Sequence, residues 1–397
     1  MVRESELLWT PGPERCERSH ITAFIRWLQR ERGLHFADYD SLWQWSVQDV
    51  ESFWRAIWDY FQVRSSAPYT KVLGRREMPG TEWFVGARLN YAEHTLRHER
   101  PGVDALMYAR EDGLLERLSW TELATRVRVL ATQLRKLGVR PGDRVVAVLP
   151  NSPQAVIALL ATTAIGAVWS CCGPDFGSVG VLERFQQLEP KVILYVDGYQ
   201  YGGKRFDRKP YLRDILAQLP TIQHFIAVPY LDPRDRTALV PGTLFWPDLF
   251  EHPPVAAEAF QFEQVAFDHP LWIVYSSGTT GLPKPFVHGH GGVTLEALKF
   301  THFHLNLKPT SCMFYFTTTG WVMWNILLSG LVAGSAVVLY DGNPGYPDLE
   351  TLWRLAERYP GMQCVGTYAP PFRPLTAEED QAVVDRINAA RPDIVWV

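Results

Sequence analysis

The chain has 397 residues, 47% of them apolar, a formal net charge of −4 and five cysteines, a balance with no sign of a nucleic-acid partner. Cys16, Cys171, Cys172, Cys312 and Cys364 lack the C-x-x-C spacing of a zinc site, and their odd count argues against a disulfide framework; reduced, buried thiols in a soluble, cytoplasmic enzyme are expected. Met1 to Arg18 carries charges with no apolar core behind them, so no secretory signal is expected.

In chain order, residues 1–95 form a tryptophan-rich helical region. There Ser46-Val47-Gln48-Asp49 and the apolar-periodic run to Phe61 predict a capped helix. Trp43, Trp45, Trp54 and Trp58 recur at helix-like spacing and are expected to anchor the core. From Met107 the pattern becomes α/β. Ser119-Trp120-Thr121-Glu122 starts a helix, and Pro141-Gly142-Asp143-Arg144 leads into a strand over Val145 to Leu149. A helix at Ala155 to Ile165 and strands at Ala167 to Ser170, Lys191 to Val196 and Phe225 to Val228 follow. Such alternation predicts an α/β fold with mostly parallel sheets flanked by helices. Leu231 to Arg236 is expected to be a surface loop at a candidate subdomain boundary.

From Pro309 to Tyr340 no residue is charged, a length that could span a bilayer. Gly320, Asn325, Ser329, Gly330, Gly334 and Ser335 interrupt it, and helix-like Trp321 to Leu328 gives way to β-branched Ala336-Val337-Val338-Leu339. A buried helix followed by a buried strand is therefore expected rather than a membrane span.

Chemistry concentrates in residues 275–292. Leu271-Trp272-Ile273-Val274 predicts a buried strand, with Ser276, Ser277, Gly278, Thr279, Thr280, Gly281 and Lys284 behind it. Gly278 and Gly281 can take positive φ and turn backbone N–H groups into an anion nest. The hydroxyls add donors, and Lys284, released from the turn by Pro283, adds a point charge. A plain Gly/Ser turn between strands is the alternative. The order S-S-G-T-T-G-L-P-K fails the spacing G-x-x-x-x-G-K-[ST], which places the lysine directly after the last glycine. It resembles instead the phosphate loop of the acyl-adenylate-forming enzymes.

Four further segments narrow the resemblance: Trp83 to Glu93, Gly173 to Gly177, Tyr201 to Arg205 and Thr317 to Asn325. Over about residues 1–355 they resemble the acetoacetyl-CoA synthetases. The resemblance implies the large N-terminal domain of an adenylate-forming fold and an AMP-forming acid–CoA ligase. Acetoacetate would attack the α-phosphate of Mg-ATP, and coenzyme A would then displace AMP. It further implies ATP, Mg2+ and coenzyme A as ligands, with Lys284 in the catalytic phosphate loop and Gly320, Trp321, Val322 and Met323 against the acyl group. Arg184 falls where relatives contact the coenzyme A phosphate, or it is a solvated helix charge. Trp321 and Met323 could also be ordinary helix core.

Beyond residue 355 the resemblance stops. The family's adenine and ribose motifs and its small C-terminal catalytic domain find no match, so a chain impaired in turnover is expected. Tyr359-Pro360-Gly361, Gly366-Thr367-Tyr368 and Asp393 to Val397 resemble instead a bacterial N-acetylmannosamine-type glycosyltransferase, implying a joint between about Leu352 and Tyr359. Thr376-Ala377-Glu378-Glu379 predicts a capped helix to about Ala390, and Asp393 to Val397 a strand. The expected organisation is a cap over 1–95, an incomplete adenylate-forming core over 96–355 and a tail over 356–397. An ATP-binding remnant without catalysis, or a glycosyltransferase fusion, are the other functions left open.

Overall fold

The computed structural model describes residues 10–276, 281–358, 371 and 373–390. Helices α1 (Pro13–Glu17), α2 (His20–Arg32), α3 (Tyr39–Gln48) and α4 (Val50–Tyr60) come first. A ribbon of β1 (Lys71–Leu73) and β2 (Trp83–Val85) follows, then β3 (Arg88–Leu89) and α5 (Tyr91–Leu96). The α/β part then opens with β4 (Asp104–Arg110), β5 (Leu115–Ser119), α6 (Trp120–Lys136), β6 (Arg144–Val148), α7 (Pro153–Ala164), β7 (Val168–Cys172) and α8 (Ser178–Phe185). It continues through β8 (Val192–Val196), the hairpin β9 (Gly198–Tyr201) and β10 (Lys204–Asp207), α9 (Lys209–Ala217), β11 (His224–Val228) and β12 (Leu244–Phe245). Next are β13 (Val265–Ala266), β14 (Pro270–Ser276), β15 (Lys284–Gly289), α10 (His290–Lys299), β16 (Cys312–Phe314), α11 (Val322–Val332), β17 (Ala336–Asp341), α12 (Thr351–Glu357) and α13 (Ala377–Ala390).

Seven strands form the main sheet in the order β12-β11-β8-β6-β7-β14-β15. Every neighbouring pair is parallel except β14 with β15. A second sheet, β16-β17-β4-β5, is parallel apart from β4 with β5. Their central strands are buried on both faces, as the continuous apolar runs require. Helix α7 is buried on all sides, which fits its nearly unbroken apolar sequence. Helix α6 begins in the predicted capping box: the Glu122 N–H donates to Ser119 Oγ while Glu122 Oε2 accepts from the Ser119 N–H.

Several expectations need correction. The predicted cap at Ser46 lies inside α3, where its hydroxyl donates to the Trp43 carbonyl; Asp49 caps α4, accepting from the Ser52 N–H at 3.1 Å. Trp58 is core, but Trp43 is 53% exposed, because α3 turns Leu42 inward instead. Leu231 to Arg236 is a loop, but it joins β11 to β12 within one sheet. Cys171 and Cys172 are enclosed, with burial pushing the Cys171 thiol up to about 12, whereas Cys16 is exposed. The charge-free stretch is α11 followed by β17, and no helix among the described residues is long and apolar enough to cross a membrane. The capping box at Thr376 and Glu379 is formed, while Asp393 to Val397 lies outside the described residues.

Four histidines where the N-terminal helices meet α10 and α11 are held neutral. His290 Nδ1 accepts from the Tyr91 N–H at 3.1 Å, and burial lowers its pKa to about 3. Burial likewise lowers His94, His98 and His302 to about 4. In the unfolded chain these rings protonate near 6.5. Below that value the unfolded state binds more protons than the folded one, so their contribution is complete above about pH 6.5 and is lost as pH falls toward 4. The urea midpoint should therefore drop between pH 7 and pH 5, and His290→Asn, which keeps an acceptor near Nδ1, should reduce that dependence by about one proton. A midpoint constant over this interval would contradict the assignment.

Candidate active site

Strands β6, β7 and β14 run parallel, so their carboxyl ends emerge together, the place where ligands settle on open α/β sheets. From β7 the chain enters Gly173 to Gly177 and then α8, which carries Arg184. From β14 it passes Ser276 toward the hydroxyl-rich loop. Ser277, Gly278, Thr279 and Thr280 lie outside the described residues, and Gly281 has the expected positive φ, +101°. Lys284 is not part of the turn: it opens β15 directly opposite Ser276 and is exposed. The loop therefore closes an antiparallel hairpin at the sheet edge. Its far end is fastened by Gln187 Nε2, which donates to the Pro283 carbonyl at 3.1 Å.

Arg184 is half-buried rather than a solvated helix charge. Its guanidinium lies 5.0 Å from the Phe176 ring centre and 5.4 Å from that of Tyr275, and NH1 donates to the Gly180 carbonyl. Tyr275 returns a bond from its hydroxyl to the Arg184 carbonyl at 2.8 Å; burial raises the pKa of that phenol, so it stays a donor. One cation is thus set between the strand leading to the hydroxyl-rich loop and the loop after β7.

Phe176 also meets the expected acyl wall. A Cβ on Gly320 would stand 2.5 Å from its ring, so glycine is needed there for close approach, not for its φ. Trp321, the N-cap residue of α11, is 55% exposed and Val322 is exposed, while Met323 is half-buried; neither Trp321 nor Met323 is the core residue that a plain helix would make of it. The segment Thr317 to Gly320 is pinned to the end of β6. Thr319 Oγ1 donates to the Leu149 carbonyl at 2.6 Å, and Asn151 Nδ2 donates to the carbonyls of Thr317 and Tyr340. Asn151 Oδ1 accepts from Trp324 Nε1 at 2.9 Å.

Sequence reasoning missed Asn151, and also Arg208. Arg208 Nε and NH2 donate to the carbonyls of Pro174 and Phe176, and the Tyr211 hydroxyl donates to the latter as well. No local signal marks either residue, since their partners lie far along the chain. Among the described residues no hydrogen bond or ion pair joins Lys284 to Arg184 or Trp321, and no group of three or more His, Cys, Asp or Glu side chains could hold a metal ion.

The AMP-binding enzyme family matches residues 94–370, and the acetyl-coenzyme A synthetase N-terminus matches residues 39–95. The chain belongs to the AMP-binding enzyme family, and its fold is that of the adenylate-forming acyl-CoA synthetases. It is 40% identical to the acetoacetyl-CoA synthetase of Gallus gallus over 375 residues, 93% of this chain and 56% of that protein. With the acetoacetyl-coenzyme A synthetase of Rhizobium meliloti (strain 1021) it shares 42% identity over 362 residues, 89% of this chain and 54% of that protein. A solved structure, the acetoacetyl-CoA synthetase from Streptomyces lividans, superposes with a TM-score of 0.84 at 48% identity, covering 89% of this chain and 54% of that one. The chain thus spans about half the length of the curated relatives it matches. The AMP-binding match runs on to residue 370, past the joint expected between Leu352 and Tyr359, and the comparisons support neither a glycosyltransferase tail nor an impaired chain. Residues 359–370, which carry most of that tail reading, lie outside the described residues.

Asn151→Leu should cost about 1–3 kcal/mol, because it leaves the buried Trp324 N–H without an acceptor. Adding Trp324→Phe removes the orphaned donor, so the double variant should lose less than the sum of the single losses in urea unfolding; strict additivity would show that the pair is not coupled.

Proposed function

We propose that this chain serves acetoacetate–CoA ligation, converting acetoacetate, Mg-ATP and coenzyme A to acetoacetyl-CoA, AMP and diphosphate. The observation that carries this reading is the Phe176 ring. It lies against both the Gly320 turn and the Arg184 guanidinium that also stacks on Tyr275, which supports reading the acyl-side residues and the end of β14 as parts of one site. In the first step a carboxylate oxygen bonds to the α-phosphorus, the bond to the β-phosphate bridging oxygen breaks, and diphosphate leaves with that electron pair. In the second, the coenzyme A sulfur bonds to the acyl carbon, AMP leaves, and the thiol proton is released.

A carboxylate approaching a polyanion needs neutralisation and alignment more than covalent help. Ser276, Ser277, Gly278, Thr279, Thr280, Gly281 and Lys284 supply it in this proposal, through N–H and hydroxyl donors and one exposed cation. Magnesium belongs to the nucleotide substrate. Gly320, Trp321, Val322 and Met323 border the acyl group: Trp321 as a flat wall, Met323 as an adaptable thioether suited to an unbranched keto acid. The placement of Arg184 beside β14 supports a contact with a phosphate of coenzyme A. A cytoplasmic setting fits the free thiols of Cys16, Cys171 and Cys172.

Calorimetric titration with Mg-ATP tests the phosphate loop. Lys284→Ala should weaken binding by about 1.5–3 kcal/mol, the loss of one charge-assisted contact, and equal affinities would remove Lys284 from the site. For the acyl side, a non-hydrolysable acetoacetyl-adenylate mimic should bind more tightly than its palmitoyl counterpart, and Trp321→Gly should narrow the gap by about tenfold. Equal binding of both mimics to the unaltered protein argues against the acyl wall, and diphosphate release dependent on palmitate rather than acetoacetate argues against the proposed substrate.

A further inference from the structure

A cavity of about 590 Å³ opens between β4, β5, α6 and the β11–β12 connection, within the size range of small-molecule sites. None of the loop or acyl-wall residues named above lines it. The lining is largely aromatic. Trp246 is buried with its ring centre 5.0 Å from that of Phe250, the two planes tilted by 52°, and Tyr108 and Tyr230 line the cavity as well. The hydroxyls of that tyrosine pair are already engaged, Tyr108 with Tyr230 and Tyr230 with the Asp341 carboxyl. They therefore present rings, not donors, to an occupant.

Two arginines and one carboxylate, Glu116, line the same cavity. Arg110 is held 5.6 Å from the Tyr230 ring centre and is ion-paired to Asp112, while Arg126 projects from the exposed side of α6. Gln154, at the start of α7, adds an unmet requirement: its Oε1 is buried and accepts no hydrogen bond. A water molecule would satisfy Gln154 alone; it would not use an aromatic wall flanked by arginine. Planar π-systems stack on such walls, and a guanidinium prefers a carboxylate.

We propose that this cavity binds a planar aromatic acid carrying an O–H or N–H donor. The ring lies against Trp246 and Tyr230, the acid group meets Arg126, and the donor reaches Gln154 Oε1. The fluorescent probe 6-hydroxy-2-naphthoate tests this by titration against the whole chain. Saturable binding is expected. Arg126→Gln should weaken it by about tenfold, since one charge-assisted bond is lost, and Trp246→Ala by at least as much. The neutral analogue 2-naphthol should show no dependence on Arg126, and Trp321→Gly should leave the naphthoate affinity unchanged. Should Trp246→Ala fail to fold by circular dichroism, the exposed Arg126→Gln decides. Absence of saturable binding, affinities within about twofold of the unaltered protein in the folded variants, or a loss in Trp321→Gly instead overturns the proposal.

Discussion

The side-chain amide of Asn151, buried where β6 ends, joins the two sheets beside the Gly320 turn. Its nitrogen reaches the carbonyls of Thr317 and Tyr340, one in the segment before α11 and one in β17 of the second sheet, while its oxygen receives the Trp324 N–H. A group with two donors and one strong acceptor is needed because all three partners are buried. An apolar residue of similar volume would leave a ring N–H without an acceptor in the interior, and a carboxylate would lack the donors that two carbonyls require. The position of Gly320 against Phe176 depends on this joint and on Thr319, which is tied to the same strand end through the Leu149 carbonyl.

The loop after β7 is fixed from the other direction by cations that do not form ion pairs with it. Arg208 clamps the Pro174 and Phe176 carbonyls, and Arg184 stacks between Phe176 and Tyr275. The planar guanidinium of each arginine lies over an aromatic ring, an arrangement a lysine could not reproduce.

Elements with strong local periodicity were legible in the sequence. The Ser119–Glu122 box, the apolar α7 and the buried strands all appear within a residue or two of their expected ends, because local bonds and burial point the same way there. The errors arise where the local signal is ambiguous. Ser46 and Asp49 both suit a cap, and only the one-residue break between α3 and α4 selects Asp49. Helical spacing groups Trp43 with its neighbours, but it cannot say which face meets the core. In the candidate site, Ser276, Gly281, Lys284 and the Gly320 turn stand out in the sequence through the motifs that carry the resemblance. Asn151 and Arg208 were not, since their roles exist only once distant strand ends are brought side by side.

The same logic accounts for the glycines of the β9–β10 hairpin. Glu111, buried at the end of β4, accepts bonds from the N–H groups of Gly202, Gly203 and Asn343 at 2.8, 2.8 and 2.9 Å. Gly202 and Gly203 both take positive φ, and a Cβ on Gly203 would stand 2.5 Å from the Tyr346 hydroxyl. Only a chain without side chains at this turn can aim two successive N–H groups at one carboxylate while a tyrosine packs above it. The neighbouring Asp341 lacks such a nest. Burial pushes its pKa up to about 7, opposed by the bond from Tyr230, and the Glu111 charge adds to the rise. Glu111 therefore acts as a fixed anchor for the hairpin tip through three backbone N–H groups, while Asp341, raised chiefly by its burial, accepts the Tyr230 hydroxyl.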